Sequence, residues 1–220
     1  MKIDSLSIKR MAVELEANLV GIASAEDFGD APAGFHPTDV LPTCKSVIVF
    51  ACEFPRSSLD ADPVTYTQVR NQMTQKMNKL ASAMVKKLKS LGVDAVPIKA
   101  ITSQWNNGRN RGPVSLKHAA VIAGLGRLGK NTLLINNTFG NMIWLSAVVT
   151  SAVLAPDRVA KYEACLPGCQ LCIESCPVGA LGEELMQQRK CANFAFQRRE
   201  GQLQIQCWEC RKVCPNCLGR

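Results

Sequence analysis

The chemistry of this chain is concentrated in sulfur. All but two of its 11 cysteines lie at or beyond Cys165. One run reads Cys165, Cys169, Cys172, Cys176-Pro177, and a second reads Cys207, Cys210, Cys214-Pro215, with Cys191 between them. A four-iron cubane needs four thiolates placed tetrahedrally around it. Loops of the Cys-x-x-Cys type bring two or three sulfurs to one turn, and a distant Cys-Pro closes the set. The proline ends the loop and carries no N–H to compete for partners. The first gap of the first run is one residue longer than usual, and Pro167-Gly168 can absorb it as a turn.

In double-cluster proteins the last cysteine of each run crosses to the other cluster. On that pattern one [4Fe–4S] cluster takes Cys165, Cys169, Cys172 and Cys214, and the other takes Cys176, Cys191, Cys207 and Cys210. Zinc also uses paired Cys-x2-Cys motifs, but Cys-Pro endings and eight crossing ligands favour iron. A disulfide framework needs an oxidising compartment. The N-terminus, MKIDSLSIKR, lacks the apolar centre of a signal peptide, and no stretch reaches the roughly 18 apolar residues of a membrane span. The expectation is a cytoplasmic protein without a membrane partner. Cys217 has no slot in either set. Cys44 and Cys52 flank an apolar strand and read as packing residues.

At 220 residues the chain has room for one full domain and a small second one. Eight ligand thiolates and two oxidised cubane cores would reduce the formal charge of +8 to about +4. No Lys/Arg run exceeds two residues, which argues against a dedicated nucleic-acid surface. Residues 5–18 read as an amphipathic helix and 19–23 as a strand. Residues 30–42 read as a loop, 46–51 as a buried strand, 64–91 as a long helix and 93–98 as a strand. Residues 104–112 read as loop, 114–123 as helix and 143–152 as strand. The composition then shifts to cysteine and charge. The expected division is 1–158, an α/β cofactor-binding domain, and 159–220, a ferredoxin-like double-cluster domain.

The stretch 123–135, AGLGRLGKNTLLI, matches two phosphate-binding patterns: Gly124, Gly126 and Gly129 as G-x-G-x-x-G, and Gly124 to Lys130 as the start of a P-loop. Both require a strand entering and a helix leaving. Here a helix-like segment enters, and Asn131 stands where a P-loop has Ser or Thr. What survives is glycine's capacity to let backbone press closely on a flat ligand or a cluster.

The run 117–140, KHAAVIAGLGRLGKNTLLINNTFG, resembles the epoxyqueuosine reductases and, more distantly, the reductive dehalogenases. So does the LP-x-x-K-S-V-I-V stretch at 41–49. The resemblance spans roughly residues 35–217. It implies a nitroreductase-like α/β domain that binds cobalamin, lodged over Gly124, Gly126, Arg127, Gly129, Lys130 and Asn131, followed by two four-iron clusters. Arg127 and Lys130 would face a phosphate or propionamide of the cofactor. The resemblance also maps the family's proton-donating Asp onto Asn110, which cannot give up a proton at neutral pH, and its Tyr-His pair onto Tyr66-Thr67. Tyr66 is then a candidate proton donor. His118 reads as a core or capping residue, and Trp105 and Arg109 as residues that could line a substrate pocket. The chain stops six residues after Cys214, where the reductases continue into helical repeats that help hold tRNA, so tRNA is not an expected partner.

The resulting expectation is an iron–sulfur oxidoreductase. It would take electrons from a ferredoxin- or flavodoxin-type partner and deliver them to a corrinoid that acts on a small-molecule or cofactor substrate. Two alternatives stand beside it. One is an electron-transfer adapter with no substrate of its own. The other is an FMN-dependent iron–sulfur reductase.

Overall fold

The computed structural model describes residues 3–101, 104–106, 109–182, 186–199 and 201–219. The chain opens with helix α1 (Ser5–Glu14), capped by the Asp4 carboxylate, which accepts from the Ser7 N–H. The helix ends earlier than its apolar pattern suggests, because Glu16 adopts φ 65° and turns the chain into β1 (Leu19–Ser24). A short helix α2 (Pro37–Val40), capped by His36, lies within the expected 30–42 loop. Strand β2 (Ser46–Glu53) leads to the long helix α3 (Pro63–Ser90) and then β3 (Ala95–Ile98). Pro63 at the first helical position and the Asp62 side chain, which accepts from Val64 and Thr65, start α3.

The expected loop over 104–112 is in part a hairpin, β4 (Gln104–Asn106) paired with β5 (Arg109–Arg111). The signal for it was present in the sequence. The dipeptide Asn107-Gly108 between two short segments is the commonest two-residue hairpin turn pair. These two residues themselves lie outside the described ones. Helix α4 (Leu116–Ile122) follows, then the small pair β6 (Arg127–Leu128) and β7 (Leu134–Ile135), and β8 (Ile143–Thr150).

Four strands form one antiparallel sheet in the order β1-β2-β8-β3. Strand β2 is buried along nearly its whole length, and alternation along it fills two cores. Ile48, Phe50 and Cys52 meet Met73, Met77, Met84 and Leu88 of α3 on one face. Val47, Val49 and Ala51 meet Ala119, Ala120 and Leu125 on the other. A sheet sandwiched by helices explains why its central strand reads as a continuous apolar run rather than an alternation. Full burial of each large apolar side chain contributes about 1.5–3 kcal/mol.

Beyond Pro156 the elements are short: α5 (Leu171–Glu174), α6 (Gln188–Ala195), the hairpin β9 (Phe196–Arg199)–β10 (Gln202–Ile205), and α7 (Glu209–Lys212). Cys172 sits on α5 and Cys210 on α7, each at the same place in a Cys-x2-Cys-x3-Cys-Pro segment, and the two helices touch. Among the described residues, no helix is long and apolar enough to cross a membrane.

Candidate metal centre

The structure gathers eight thiols into two neighbouring groups. Cys165, Cys169, Cys172 and Cys214 line one recess with Lys130, Leu166 and Pro215. The Cys172 thiol is pushed above its usual value by burial and then by the neighbouring sulfurs of Cys165, Cys214 and Cys169. Cys191 is raised by burial and then by Cys207 and Cys176. Cys210 is raised to about 12, first by burial and then by Cys191, with Cys207 and Cys172 adding to it. Cys210 thus feels sulfurs of both groups.

Cys176 is prepared in the opposite sense. Burial works to raise it, but backbone amides from residues 178–181 outweigh burial and hold the thiol below its usual value. The Ala180 N–H lies 3.2 Å from its sulfur. A nest of N–H groups of this kind favours a thiolate, which is the form that binds metal. Among the described residues no three His, Cys, Asp or Glu side chains converge as ligands of a single ion would. The four thiolates of a cubane stand wider, since each binds a different iron.

The glycine segment serves this region directly. A Cβ on Gly124 would lie 2.3 Å from the Arg158 carbonyl oxygen, and one on Gly126 would lie 2.4 Å from that of Ile135. At Gly129 it would meet the Ile135 side chain at 2.7 Å. The chain's own atoms therefore take the space that the three bare positions leave, and a corrinoid over this loop has the family resemblance alone behind it. The end of the segment reaches the cysteines. The Lys130 N–H donates to Cys165 Sγ at 3.4 Å, and Lys130 Nζ donates to the Cys169 carbonyl at 2.8 Å. Asn131, buried, donates from Nδ2 to the Cys210 carbonyl at 3.0 Å. Arg127 lies apart from the cysteines, on a neighbouring cleft with Arg158 and Lys161.

Sequence reading missed the residues that lock the cysteine region to the sheet. Asn141, on the turn into β8, donates from Nδ2 to the Arg211 carbonyl, and its N–H donates to the Cys217 carbonyl. Asn216 donates to the Ala164 carbonyl. The buried Arg211 guanidinium donates to the Asn141 carbonyl and lies 5.4 Å from the centre of the Phe54 ring. Lys117 donates to the Thr132 carbonyl at 2.7 Å. Burial holds its ammonium below the usual lysine range, and the nearby Cys210 and Cys191 partly restore it. The one available signal was polar residues embedded in apolar or cysteine-rich sequence.

Of the remaining candidates, Tyr66 is buried and stacked on Trp208, with ring centroids 4.0 Å apart. Burial raises its hydroxyl above the usual tyrosine range, and the Arg211 guanidinium opposes that rise. Asn110 lies on β5, where its N–H donates to Gln188 Oε1 at 2.7 Å, beside the helix that carries Cys191. Trp105 is exposed and lies under the Arg189 guanidinium at 5.3 Å. Arg109 is exposed on the same hairpin. His118 Nδ1 pairs with Ser115 Oγ at the start of α4. Cys44 and Cys52 are core residues, and Cys217 is buried against Asn141.

No family model matches the chain. It is 27% identical over 202 residues to the epoxyqueuosine reductase of Bacillus cereus, which covers 84% of this chain and 51% of that protein. It is 32% identical over 168 residues to a tetrachloroethene reductive dehalogenase of Desulfitobacterium hafniense, covering 74% of this chain and 27% of that protein. The chain thus spans about half the length of the epoxyqueuosine reductases it matches. Its fold superposes on the epoxyqueuosine reductase of Streptococcus thermophilus with a TM-score of 0.68 at 20% identity, over 96% of this chain and 65% of that one. With a catabolic reductive dehalogenase the TM-score is 0.75 at 18% identity, over 95% and 31%. By sequence the chain is related to the epoxyqueuosine reductases and the reductive dehalogenases, and it shares their fold.

Proposed function

We propose that the chain is an iron–sulfur oxidoreductase with two [4Fe–4S] clusters that serves a corrinoid of the cobalamin type. One cluster is held by Cys165, Cys169, Cys172 and Cys214, and the other by Cys176, Cys191, Cys207 and Cys210. The observation that carries this reading is the sorting of eight thiols into two adjoining quartets. When bound, such clusters supply one-electron transfer at potentials within about −700 to +450 mV. The chain's own groups do the rest. Amides of residues 178–181 favour the Cys176 thiolate. The Lys130 N–H points at Cys165 Sγ. Cys172 is buried, which keeps water from the first group. The division into a domain over 1–158 and a ferredoxin-like one over 159–220 belongs to the same proposal.

The corrinoid part is supported by the relatives, one of which is a reductive dehalogenase described by B12-dependent dehalogenation. Asn110 argues against reduction of epoxyqueuosine itself, because an amide cannot deliver the proton. That same residue favours the second reading, an electron-transfer adapter without its own substrate. An FMN-dependent reductase is the third.

The test is anaerobic purification with iron and sulfide analysis. The intact chain should hold about eight irons, and Cys172→Ala and Cys210→Ala about four each. A colourless zinc protein, or an unchanged iron count in either variant, would falsify the assignment. Reconstitution with cobalamin then separates the readings by absorption. A corrinoid adds bands beyond the broad brown cluster absorption, FMN gives a structured yellow spectrum after acid release, and an adapter shows clusters alone.

A further inference from the structure

We infer that Cys214 and Cys217 form a reversible dithiol pair, which peroxide closes to a disulfide when the first cysteine group is without iron. The guarding role this gives Cys217 rests on the iron–sulfur reading above. The two thiols end the stretch Cys214-Pro215-Asn216-Cys217. Proline presets the second position of a turn, and asparagine suits a turn interior. The turn is closed by the Cys217 N–H, which donates to the Cys214 carbonyl at 2.9 Å. The Cα atoms at the ends of such a turn lie within about 7 Å, and a disulfide spans about 4.4–6.8 Å between them.

The turn is also held from outside. The Asn141 N–H donates to the Cys217 carbonyl at 3.0 Å. Cys217 Sγ donates to Asn141 Oδ1 at 3.5 Å, and the Asn141 side chain also hydrogen-bonds the Cys214 thiol. One amide thus touches both sulfurs. Their access differs. Cys214 lines the first recess with Cys165, Cys169 and Cys172, whereas Cys217 is buried behind it. The thiol that acts on Cys217 is Cys214. Cys217 therefore backs a proposed cluster ligand and stands outside the quartet.

That arrangement makes Cys214 the attacking sulfur and Cys217 the resolving one. A Cys214 thiolate freed of iron attacks one oxygen of hydrogen peroxide. The O–O bond breaks, hydroxide leaves, and a sulfenic acid remains. The Cys217 sulfur displaces that oxygen as water, forming the S–S bond. Two thiols and one peroxide become one disulfide and two waters; sulfur loses two electrons and peroxide gains them. A dithiol reductant restores both thiols by exchange. Without Cys217 the sulfenic acid goes on to sulfinic acid, which thiols do not reverse. The ninth sulfur thus preserves a ligand of the first group.

The experiment treats the full chain, iron-loaded or stripped by a chelator, with hydrogen peroxide. Free thiols are then blocked, and the tryptic peptide that begins at Val213 is weighed, since it carries both cysteines. From the stripped chain it should be unblocked and lighter by two hydrogens, and dithiothreitol should restore both thiols. From the loaded chain it should change only as iron is lost. Cys217→Ser keeps a hydroxyl for Asn141. In that variant a dimedone probe should label Cys214 several-fold more than in the native sequence. The control Cys44→Ser, in the core of the sheet, should behave as the native chain does. A free Cys217 thiol after oxidation, a disulfide from Cys214 to Cys165, Cys169 or Cys172, or equal dimedone labelling overturns the pair. Closure of the disulfide in a chain that takes up no iron supports the pair and overturns the cluster reading alone.

Discussion

Cys176 and Cys210 fall in one group of thiols, yet their surroundings prepare them in opposite senses. Backbone amides ready Cys176 for ionisation, while burial pushes the Cys210 thiol up to about 12. Lys117, whose ammonium burial holds below the usual lysine range, supports an expectation at this scale. A half-buried cation beside Cys191 and Cys210 stabilises added negative charge, so on the proposed cluster assignment Lys117→Gln should lower the potential of the second cluster and leave the first unmoved. Redox titration followed by electron paramagnetic resonance reads both. An unmoved second potential would show that the ammonium is screened from it.

At the scale of elements, the sheet and its helices were legible because each obeys a simple period. Apolar residues at helical spacing from Val69 to Leu88 announce α3, and the unbroken run 46–51 announces a strand buried on both faces. The hairpin at 104–111 was read as loop because Gln, Asn and Arg carry little strand propensity. Its turn dipeptide was the better signal. The glycine segment matches phosphate-binding patterns that its entering helix already sets aside; what a sequence cannot show is that Arg158 and Ile135, rather than a flat ligand, fill the space its glycines leave. The clamp between Gly140–Met142 and the C-terminal turn was invisible for a similar reason: Asn141 and Asn216 act on carbonyls far away in sequence. Gly140 is the tightest point of that clamp. It has φ +57°, and a Cβ there would lie 2.1 Å from the Cys217 carbonyl oxygen. Gly140→Ala combines left-handed strain of about 1–2 kcal/mol with a clash against backbone that cannot rotate away. It should lower stability by several kcal/mol, on the scale of overpacked cores, and free the amides of 211–217 to exchange with solvent. Unchanged exchange there would mean that the turn docks without this close approach.

At the scale of the whole molecule, two regions of different construction share one surface. The region before Pro156 has two apolar cores on a four-stranded sheet. The region after it buries few apolar side chains, chiefly Cys172, Leu181, Ala195, Ile205 and Cys217, and its helices α5 and α7 are single turns. Such a segment cannot offset its own ordering entropy through apolar burial. On the proposed cluster assignment, its order comes from the iron that the thiols bind and from its clamps to the first region: Arg211 on Asn141, and Trp208 stacked on Tyr66. Where ligand binding supplies folding energy, removing the ligand removes the fold. Stripping iron under reducing conditions should therefore loosen residues 165–217 and spare the sheet. Amide exchange should rise across the cysteine region while β2 and β8 stay protected. Trp208 should leave its stack on Tyr66 and shift to a water-exposed emission, a change that Trp208→Phe should abolish. Simultaneous loss of protection in β2 and β8 would show that the two regions fold as a single cooperative unit, with the metal supporting the sheet as well as the loops that hold it.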